Sequence, residues 1–202
     1  MVKGLEGTMK YNVKKWFGVA ALALVAAASL SCNGGELTQN AAPVQLVVTN
    51  VQDLQQIDLE AVLNGEACGS VGTIEMQSVP KNGSVTGSFV DVRVTRYKVS
   101  YVRTDGGTQV PASFVRSIDT LITTGGGSQS LTSFLILTSD ALNQAPFVAL
   151  RPANGGRDPE TNRSVVRMDV IVEVFGQTLG GDNVSGATRF PLDFCFHCQG
   201  CA

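Results

Sequence analysis

The sequence predicts an all-β domain in the form of an antiparallel β-sandwich of about seven to nine strands. The chain contains 22 Gly among 202 residues, few aromatic residues, and many Val, Thr and Ser. Its apolar residues fall in short segments of period two that are separated by turn residues, which is typical of short strands. A small β-barrel is the alternative. Parallel sheets are not supported, because residues 44–202 offer no helical crossover of sufficient length.

Three strands are predicted in the first part of this domain. Residues 44–49 are short and β-branched, and residues 57–63 alternate between apolar and polar positions. Residues 71–79 form a third apolar segment that ends at the turn residues 80–83, Pro-Lys-Asn-Gly. Each segment therefore fits a strand followed by a turn.

The segment from Phe89 to Arg103 changes its apolar parity in the middle. Because strand side chains alternate with period two, one flat strand cannot bury both sets on one face. We expect a β-bulge near Thr95-Arg96, or a passage from one sheet to the other there. The first set is Val90, Val92 and Val94, and the second is Tyr97, Val99 and Tyr101.

The glycine-rich residues 125–128 lie between two further apolar segments, 118–123 and 131–137. This arrangement predicts a β-hairpin. Ser139-Asp140 could cap a short helical turn before Pro146.

The last part of the chain carries the strongest strand pattern. Residues 151–164 are polar and predict a long loop. Residues 166–174 and 190–196 both alternate apolar and polar positions, and glycines separate them. They predict a long antiparallel pair.

The N-terminal residues 9–32 have the pattern of a bacterial export signal. A basic segment precedes the apolar residues 17–30, which as a helix would rise only about 21 Å, short of the roughly 30 Å hydrocarbon core of a membrane. A permanent membrane span is therefore not expected. The basic residues are Lys10, Lys14 and Lys15.

The end of this signal resembles a bacterial lipobox, in which the cysteine after the cleaved bond is acylated. The small Ser31 directly before Cys32 fits that pattern, whereas Ser29 and Leu30 depart from its usual order of Leu followed by a small residue. The resemblance implies lipidation at Cys32. Ordinary secretion, with cleavage near Ala26 or Ala28 and Cys32 left as a thiol, is the alternative.

Export of this kind would leave a tethered domain on the cell envelope. By resemblance to enteric lipoproteins, Asn33 after the cysteine favours the outer membrane. The parts would be a signal peptide at 1–31, a lipid-anchored flexible tether at 32–43 and a single β-sandwich domain with a cysteine-rich tail at 44–202.

The charge of the chain argues against nucleic acid as a partner. The formal net charge is −2, and the chain has one histidine. Residues 1–31 carry four Lys and one Glu, so the remainder is more acidic than the whole. Arg93, Arg96, Lys98 and Arg103 cluster near the predicted bulge, and we expect them on a solvated face.

The five cysteines are 32, 68, 195, 198 and 201. If Cys32 carries lipid, the other four suffice for two disulfides in an oxidising compartment. We expect Cys68 to bond one cysteine of the C-terminal cluster, with Cys195 favoured, and the other two to bond each other. Because Cys195 faces away from Phe194 on a strand, it should lie outside the main core.

Other chemistry could use the same cluster. Cys195, His197, Cys198 and Cys201 could together ligate zinc. Thiol exchange would require a C-x-x-C at a helix N-terminus, whereas this one follows a strand. We favour structural disulfides and expect no resident metal or cofactor.

No acid–base or nucleophile arrangement points to an enzyme. His197 is the only histidine, and there is no G-x-S-x-G motif. Asn154, Asp158, Glu160 and Asn162 place oxygen atoms on one loop and could bind calcium, although a solvated loop is the expectation.

The segments VTRYKVSYVRTDGGTQVPASF and VEVFGQTLGGDNVS resemble immunoglobulin-like domains of exported Gram-negative proteins. The resemblance, over residues 44–196, implies an immunoglobulin-like sandwich and no particular activity. The predicted function is a lipid-anchored, non-enzymatic envelope module that binds another envelope protein or surface component or serves as an accessory subunit. The alternative is an envelope protein that handles metal or thiols through the C-terminal cysteines.

Overall fold

The computed structural model describes residues 42–51, 55–66, 70–83, 85 and 87–198. The predicted signal, Cys32, Cys68 and Cys201 lie outside these residues. The contacts group residues 37–202 into one unit, to which the description below is confined. Within the described part of the chain, no helix combines the length and the apolar character required to cross a membrane.

The described residues form eight strands and short helical segments. The strands are β1 (Val44–Asn50), β2 (Gln56–Asp58), β3 (Val71–Pro80), β4 (Val92–Arg103), β5 (Phe114–Ile122), β6 (Gln129–Leu135), β7 (Val165–Thr178) and β8 (Asn183–Cys195). The α-helices are α1 (Leu59–Leu63) and α2 (Phe147–Leu150), and 3₁₀ turns span Ser88–Val90, Ser139–Asn143 and Pro152–Asn154.

The strands form two sheets that enclose the hydrophobic core, and the predicted all-β class is confirmed. The smaller sheet has the order β1-β3-β6, and the larger sheet has the order β2-β8-β7-β4-β5. All pairs are antiparallel except β2 with β8, which is parallel. The predicted long pair near the C-terminus is confirmed: β7 and β8 pair from Val165↔Cys195 to Gln177↔Asn183.

The predicted change of parity in β4 is confirmed as a bulge within one sheet. The register of β4 against both neighbours shifts between Val94 and Arg96. Before the shift Val94 is buried, and after it Tyr97 and Tyr101 are buried. On the neighbouring strand, Gly176 provides the space that this bulge needs, since a Cβ there would lie 2.6 Å from the carbonyl oxygen of Arg93.

Two tyrosines of β4 connect the larger sheet to the end of β6. The Tyr101 hydroxyl donates to the carbonyl oxygen of Ile136 at 2.6 Å, and the Leu135 N–H donates to the Tyr97 hydroxyl at 3.1 Å. Burial raises the pKa of Tyr101 well above its usual range. Both hydroxyls lie between the sheets, and these hydrogen bonds satisfy them where water is excluded.

The predicted strand at 57–63 is wrong beyond its first residues. The strand ends at Asp58, and the chain continues as α1. The Asp58 carboxylate accepts a hydrogen bond from the Glu60 N–H at 2.9 Å, which caps the helix N-terminus. Leu59 and Ala61 are still buried, so helix and strand satisfy this apolar pattern equally well.

The predicted hairpin around residues 125–128 is also wrong. β5 pairs with β4 in the larger sheet, whereas β6 pairs with β3 in the smaller one. The glycine loop therefore carries the chain from one sheet to the other. The loop is attached to β3, because the Gly125 N–H donates to the carbonyl oxygen of Ser78 at 3.2 Å.

The predicted helical turn and polar loop are both present. The turn is the 3₁₀ segment Ser139–Asn143, which is capped by the side chain of Thr138 rather than by Ser139. The loop lies between α2 and β7 and contains the 3₁₀ segment Pro152–Asn154.

Replacing Gly186 with Ala should destabilise the domain by about 1–3 kcal/mol. β1 of the smaller sheet passes over β8 at this glycine, where a Cβ would overlap the carbonyl oxygen of Leu46 and lie 2.9 Å from Cγ2 of Val48. Chemical denaturation monitored by circular dichroism measures the effect. Gly83→Ala is the matched control, since a Cβ there meets no atom within 4 Å. An equal cost for both variants would contradict the close approach.

Candidate functional site

The C-terminal end of β8 is closed by a disulfide between Cys195 and Cys198, with 5.8 Å between their Cα atoms. Cys195 is buried and Cys198 is partly buried. The two Sγ atoms lie 3.9 and 3.8 Å from the carbonyl oxygen of Ile57 in β2. The disulfide therefore packs against the short parallel strand that borders β8.

The expected bond from Cys68 to Cys195 is wrong, because Cys195 is bonded to Cys198. Cys195 was expected to lie outside the main core: it is buried, with an exposed fraction of 3%, but it is not part of the main hydrophobic cluster. β2 lies beside β8 at this point, and a left-handed residue at His197, with φ of 54°, turns the chain so that Cys198 returns to Cys195. Cys68 and Cys201 fall outside the described residues.

His197 lies on the surface beside this disulfide. Its side chain is 62% exposed, and Nδ1 lies 2.5 Å from Oε2 of Glu60. The sulfur atoms of Cys195 and Cys198 are bonded to each other and supply no thiolate in this form. Within the described ranges, no group of three or more His, Cys, Asp or Glu residues is placed to hold a metal ion.

The four oxygen-bearing residues of the 154–162 loop do not converge. The Asn154 amide donates to the carbonyl oxygen of Val148 at 2.7 Å. Asn162 adopts a left-handed conformation, and its carbonyl oxygen accepts from Arg157. The carboxylates of Asp158 and Glu160 instead lie near a cation that the chain itself supplies, Arg103.

Arg103 lies at the centre of a buried ionic cluster, which we define as Arg103, Asp105, Asp158 and Glu160. The side chains of Arg103 and Asp105 are each 2% exposed and that of Asp158 is 0% exposed. Arg103 contacts Asp105 through Nε at 2.7 Å and Nη2 at 2.9 Å, and it contacts Asp158 through Nη2 at 2.9 Å. The paired contacts with Asp105 use the planar fork of the guanidinium.

The buried ionic cluster joins two loops that are distant in sequence. The Glu160 carboxylate accepts hydrogen bonds from the backbone N–H groups of Thr108 and Gln109 at 2.7 and 2.9 Å. It also lies 3.9 Å from Nη1 of Arg103. In the same loop, the Thr161 hydroxyl donates to Asp158 at 2.7 Å. The turn after β4 and the loop before β7 are therefore held together by charge-assisted hydrogen bonds.

The cluster shifts the pKa of each of its members in the direction that favours the charged form. Burial alone would raise the pKa of Asp105 and Asp158, but hydrogen bonds from Arg103 and from nearby donors outweigh it, so both pKa values lie below their usual range. The backbone N–H of Gln109 is the first cause that lowers the pKa of Glu160. Burial lowers the pKa of Arg103, yet its carboxylate partners raise it overall.

One acceptor in the cluster has no partner among the described residues. Oδ1 of Asp158 is buried and accepts no hydrogen bond there, while Oδ2 accepts three. Three carboxylates around one guanidinium leave an excess of negative charge, which makes Arg103 the residue that holds this cluster together.

The expected solvated face is correct for three of the four basic residues near the bulge. Arg93 pairs with Asp119, Lys98 pairs with Glu173, and Arg96 lies 5.0 Å from the ring centre of Phe175. Arg103 is the exception and was missed. After the bulge it shares the parity of Tyr97 and Tyr101, so period two alone places it toward the interior.

A groove of about 490 Å³ runs along the passage of β1 over β8. It is lined by residues 44–48 and 184–187, together with Lys81, Glu173 and Phe175.

No protein-family model matches the chain, and comparisons with curated proteins and with solved structures also find no match.

Proposed function

We propose that the chain is an exported, lipid-anchored protein of the cell envelope whose domain is a non-enzymatic binding or accessory module. The observation that carries this proposal is the Cys195–Cys198 disulfide at the end of the last strand. Disulfides persist in oxidising compartments such as the periplasm and the cell surface. This agrees with the export signal at residues 9–32, and Cys32 would provide the anchor to the outer membrane.

We propose further that the domain is an immunoglobulin-like sandwich. Two mostly antiparallel sheets enclose the core, and the glycine loop after β5 crosses from one to the other, as connections in sandwiches do. The parallel pairing of β2 with β8 departs from the antiparallel pairing of such a sandwich.

Three side chains that could otherwise take part in catalysis already have structural partners, and this supports a non-enzymatic role. His197 lies beside Glu60 on the surface, Cys195 is bonded to Cys198, and Arg103 holds its own carboxylates. A catalytic group needs a free lone pair or proton near a substrate pocket.

Replacing Cys32 with Ala should release the protein from the membrane fraction or leave it uncleaved. The acyl chains added at Cys32 would provide stable anchoring, because two or more chains bind membranes far more strongly than one. Fractionation of cells, with mass spectrometry of the N-terminus, measures this. Gly83→Ala is the control, since it keeps Cys32 and adds a Cβ that meets no atom within 4 Å. A wild-type N-terminus at Ser29 without lipid would contradict the anchor.

The binding role is tested by chemical crosslinking in intact envelopes, followed by denaturing purification of the wild-type chain. We expect a reproducible crosslink to one other envelope component. The same crosslink should weaken in a Cys32→Ala strain, because the anchor no longer concentrates the domain at the membrane. A chain that crosslinks to no other envelope component would contradict the role.

A thiol-handling protein is the second candidate. Cys195 is buried, whereas Cys198 is only partly buried and neighbours the exposed His197, so one sulfur of the pair is more accessible to exchange. Titration of free thiols in denatured, exported protein separates the candidates. No free thiol beyond Cys32 supports structural disulfides. Three or four free thiols would support thiol or metal chemistry instead.

A further inference from the structure

The outer edge of β5 is the longest strand edge that remains unpaired in the described part of the chain. The register of β5 against β4 shifts between Ser117 and Thr120, but the burial of its side chains keeps alternating across that shift. β5 is the terminal strand of the larger sheet and pairs only with β4. The other edges are obstructed: β1 passes over Gly186, β6 is interrupted by Ser133 with φ of 56°, and β2 has three residues. An unpaired edge offers a row of backbone donors and acceptors to another strand.

The sequence of β5, Phe-Val-Arg-Ser-Ile-Asp-Thr-Leu-Ile, has an apolar and polar pattern that is symmetric about its central residue. Suppose that two copies pair antiparallel with Ile118 opposite Ile118. At each of the remaining positions, an apolar side chain then lies opposite an apolar one, and a polar side chain lies opposite a polar one. The opposed pairs are Phe114 with Ile122, Val115 with Leu121, Arg116 with Thr120, and Ser117 with Asp119. Such a two-fold arrangement is isologous, so each contact occurs twice.

The two large apolar side chains of this edge become partners in that register. Val115 and Leu121 lie on the outer face of the sheet, where they are 58% and 51% exposed. Each would lie directly opposite the other across the axis, at the distance where cross-strand pairs touch. Pairing would therefore cover both side chains at both ends of the strand.

The charges of β5 are compatible with the same register. Asp119 already accepts two hydrogen bonds from Arg93 of its own sheet, both at 2.7 Å, and would lie opposite Ser117. Arg116 would lie opposite Thr120. No like charges oppose each other, which would otherwise disfavour a pair.

We propose that two copies of this chain associate through β5, antiparallel about a two-fold axis at Ile118, so that the five-stranded sheet continues into that of the second copy. The backbone of β5 supplies the pairing, and Val115 with Leu121 supplies the register. One strand edge is a small interface, so the dimer should be weak and concentration-dependent. The proposal is independent of the envelope partner.

Sedimentation equilibrium of the full-length chain in density-matched detergent tests it. We expect a reversible dimer for the wild type and a monomer for Val115→Lys/Leu121→Lys, in which Lys opposes Lys twice. Val115→Lys/Leu121→Glu should restore the dimer, because Lys then opposes Glu twice. Val102→Lys, at an exposed position of β4 away from the edge, is the control and should remain dimeric.

Each other outcome overturns the proposal. A wild type that is monomeric up to about 1 mM has no meaningful self-affinity. A dimer that survives two opposed lysines does not use this edge. A Lys–Glu variant that stays monomeric while Val102→Lys dimerises excludes the register at Ile118. Because all three variants change exposed side chains, near-ultraviolet circular dichroism should show the same folded domain in each.

Discussion

Replacing Arg103 with Met should destabilise the domain by about 3–5 kcal/mol, the cost of leaving a buried charge without its partner. The guanidinium is bonded to Asp105 and Asp158, whose side chains are 2% and 0% exposed. Removing it leaves both carboxylates buried, with the partly exposed Glu160 beside them. Methionine keeps most of the side-chain length, so the lost energy is mainly electrostatic. Chemical denaturation measures the difference in the free energy of unfolding.

Arg93→Met is the matched control for this prediction. Arg93 makes the same paired contacts with Asp119, but their side chains are 59% and 64% exposed. Exposed ion pairs contribute little, so this variant should leave the free energy of unfolding nearly unchanged. Equal effects of the two substitutions would show that Arg103 does not hold a buried cluster.

The difference in the free energy of unfolding between the Arg103→Met variant and the wild type should become smaller in acid. In the wild type the pKa values of Asp105 and Asp158 lie below their ordinary value of 3.8. Their contribution to stability is therefore fully present above that value and is lost as the pH falls through the lower folded-state values. Without Arg103, burial should raise both pKa values above those of the unfolded chain. The variant should then become more stable, relative to wild type, as the medium is acidified.

Local alternation in the sequence was sufficient to predict the parity change in β4 and the longest pair, but it left open whether β4 bulges or passes between sheets. The parity change at Thr95-Arg96 corresponds to the observed register shift, since only an extra residue lets both apolar sets face one core. At residues 59–63 the same reasoning failed. There the apolar positions fit a buried helix turn as well as a strand, and the hydrogen bond that the Asp58 carboxylate accepts from the Glu60 N–H stabilises the helix.

The membership of strands in sheets could not be predicted from neighbouring residues. The glycine loop after β5 is compatible with a hairpin, but β6 gains its partner from β3, which lies much earlier in the chain. The buried ionic cluster likewise combines a feature that the local sequence could predict with one that only the fold determines. Parity could have placed Arg103 inside, whereas Asp158, which is 55 residues away, is brought to it only by the fold.

Replacing Cys68 with Ser should also have a large effect, because we propose that Cys68 is bonded to Cys201. Four cysteines make two disulfides, and the Cys195–Cys198 bond leaves these two for each other. The bond would close a loop of about 133 residues, for which chain entropy gives roughly 5 kcal/mol. The loop closed by Cys195 and Cys198, by contrast, should contribute about 2 kcal/mol.

Cys68→Ser and Cys201→Ser should therefore destabilise the exported protein equally, and each by more than Cys198→Ser. Equal effects are the stronger part of the prediction, because removing either partner opens the same loop. Peptide mapping without reduction should recover the segment around Cys68 joined to the C-terminus. A reduced Cys68 in exported protein would contradict the bond. If a chelator lowers stability while a reductant does not, then metal, rather than a disulfide, holds the C-terminal cysteines, because only a metal-held cluster responds to the chelator.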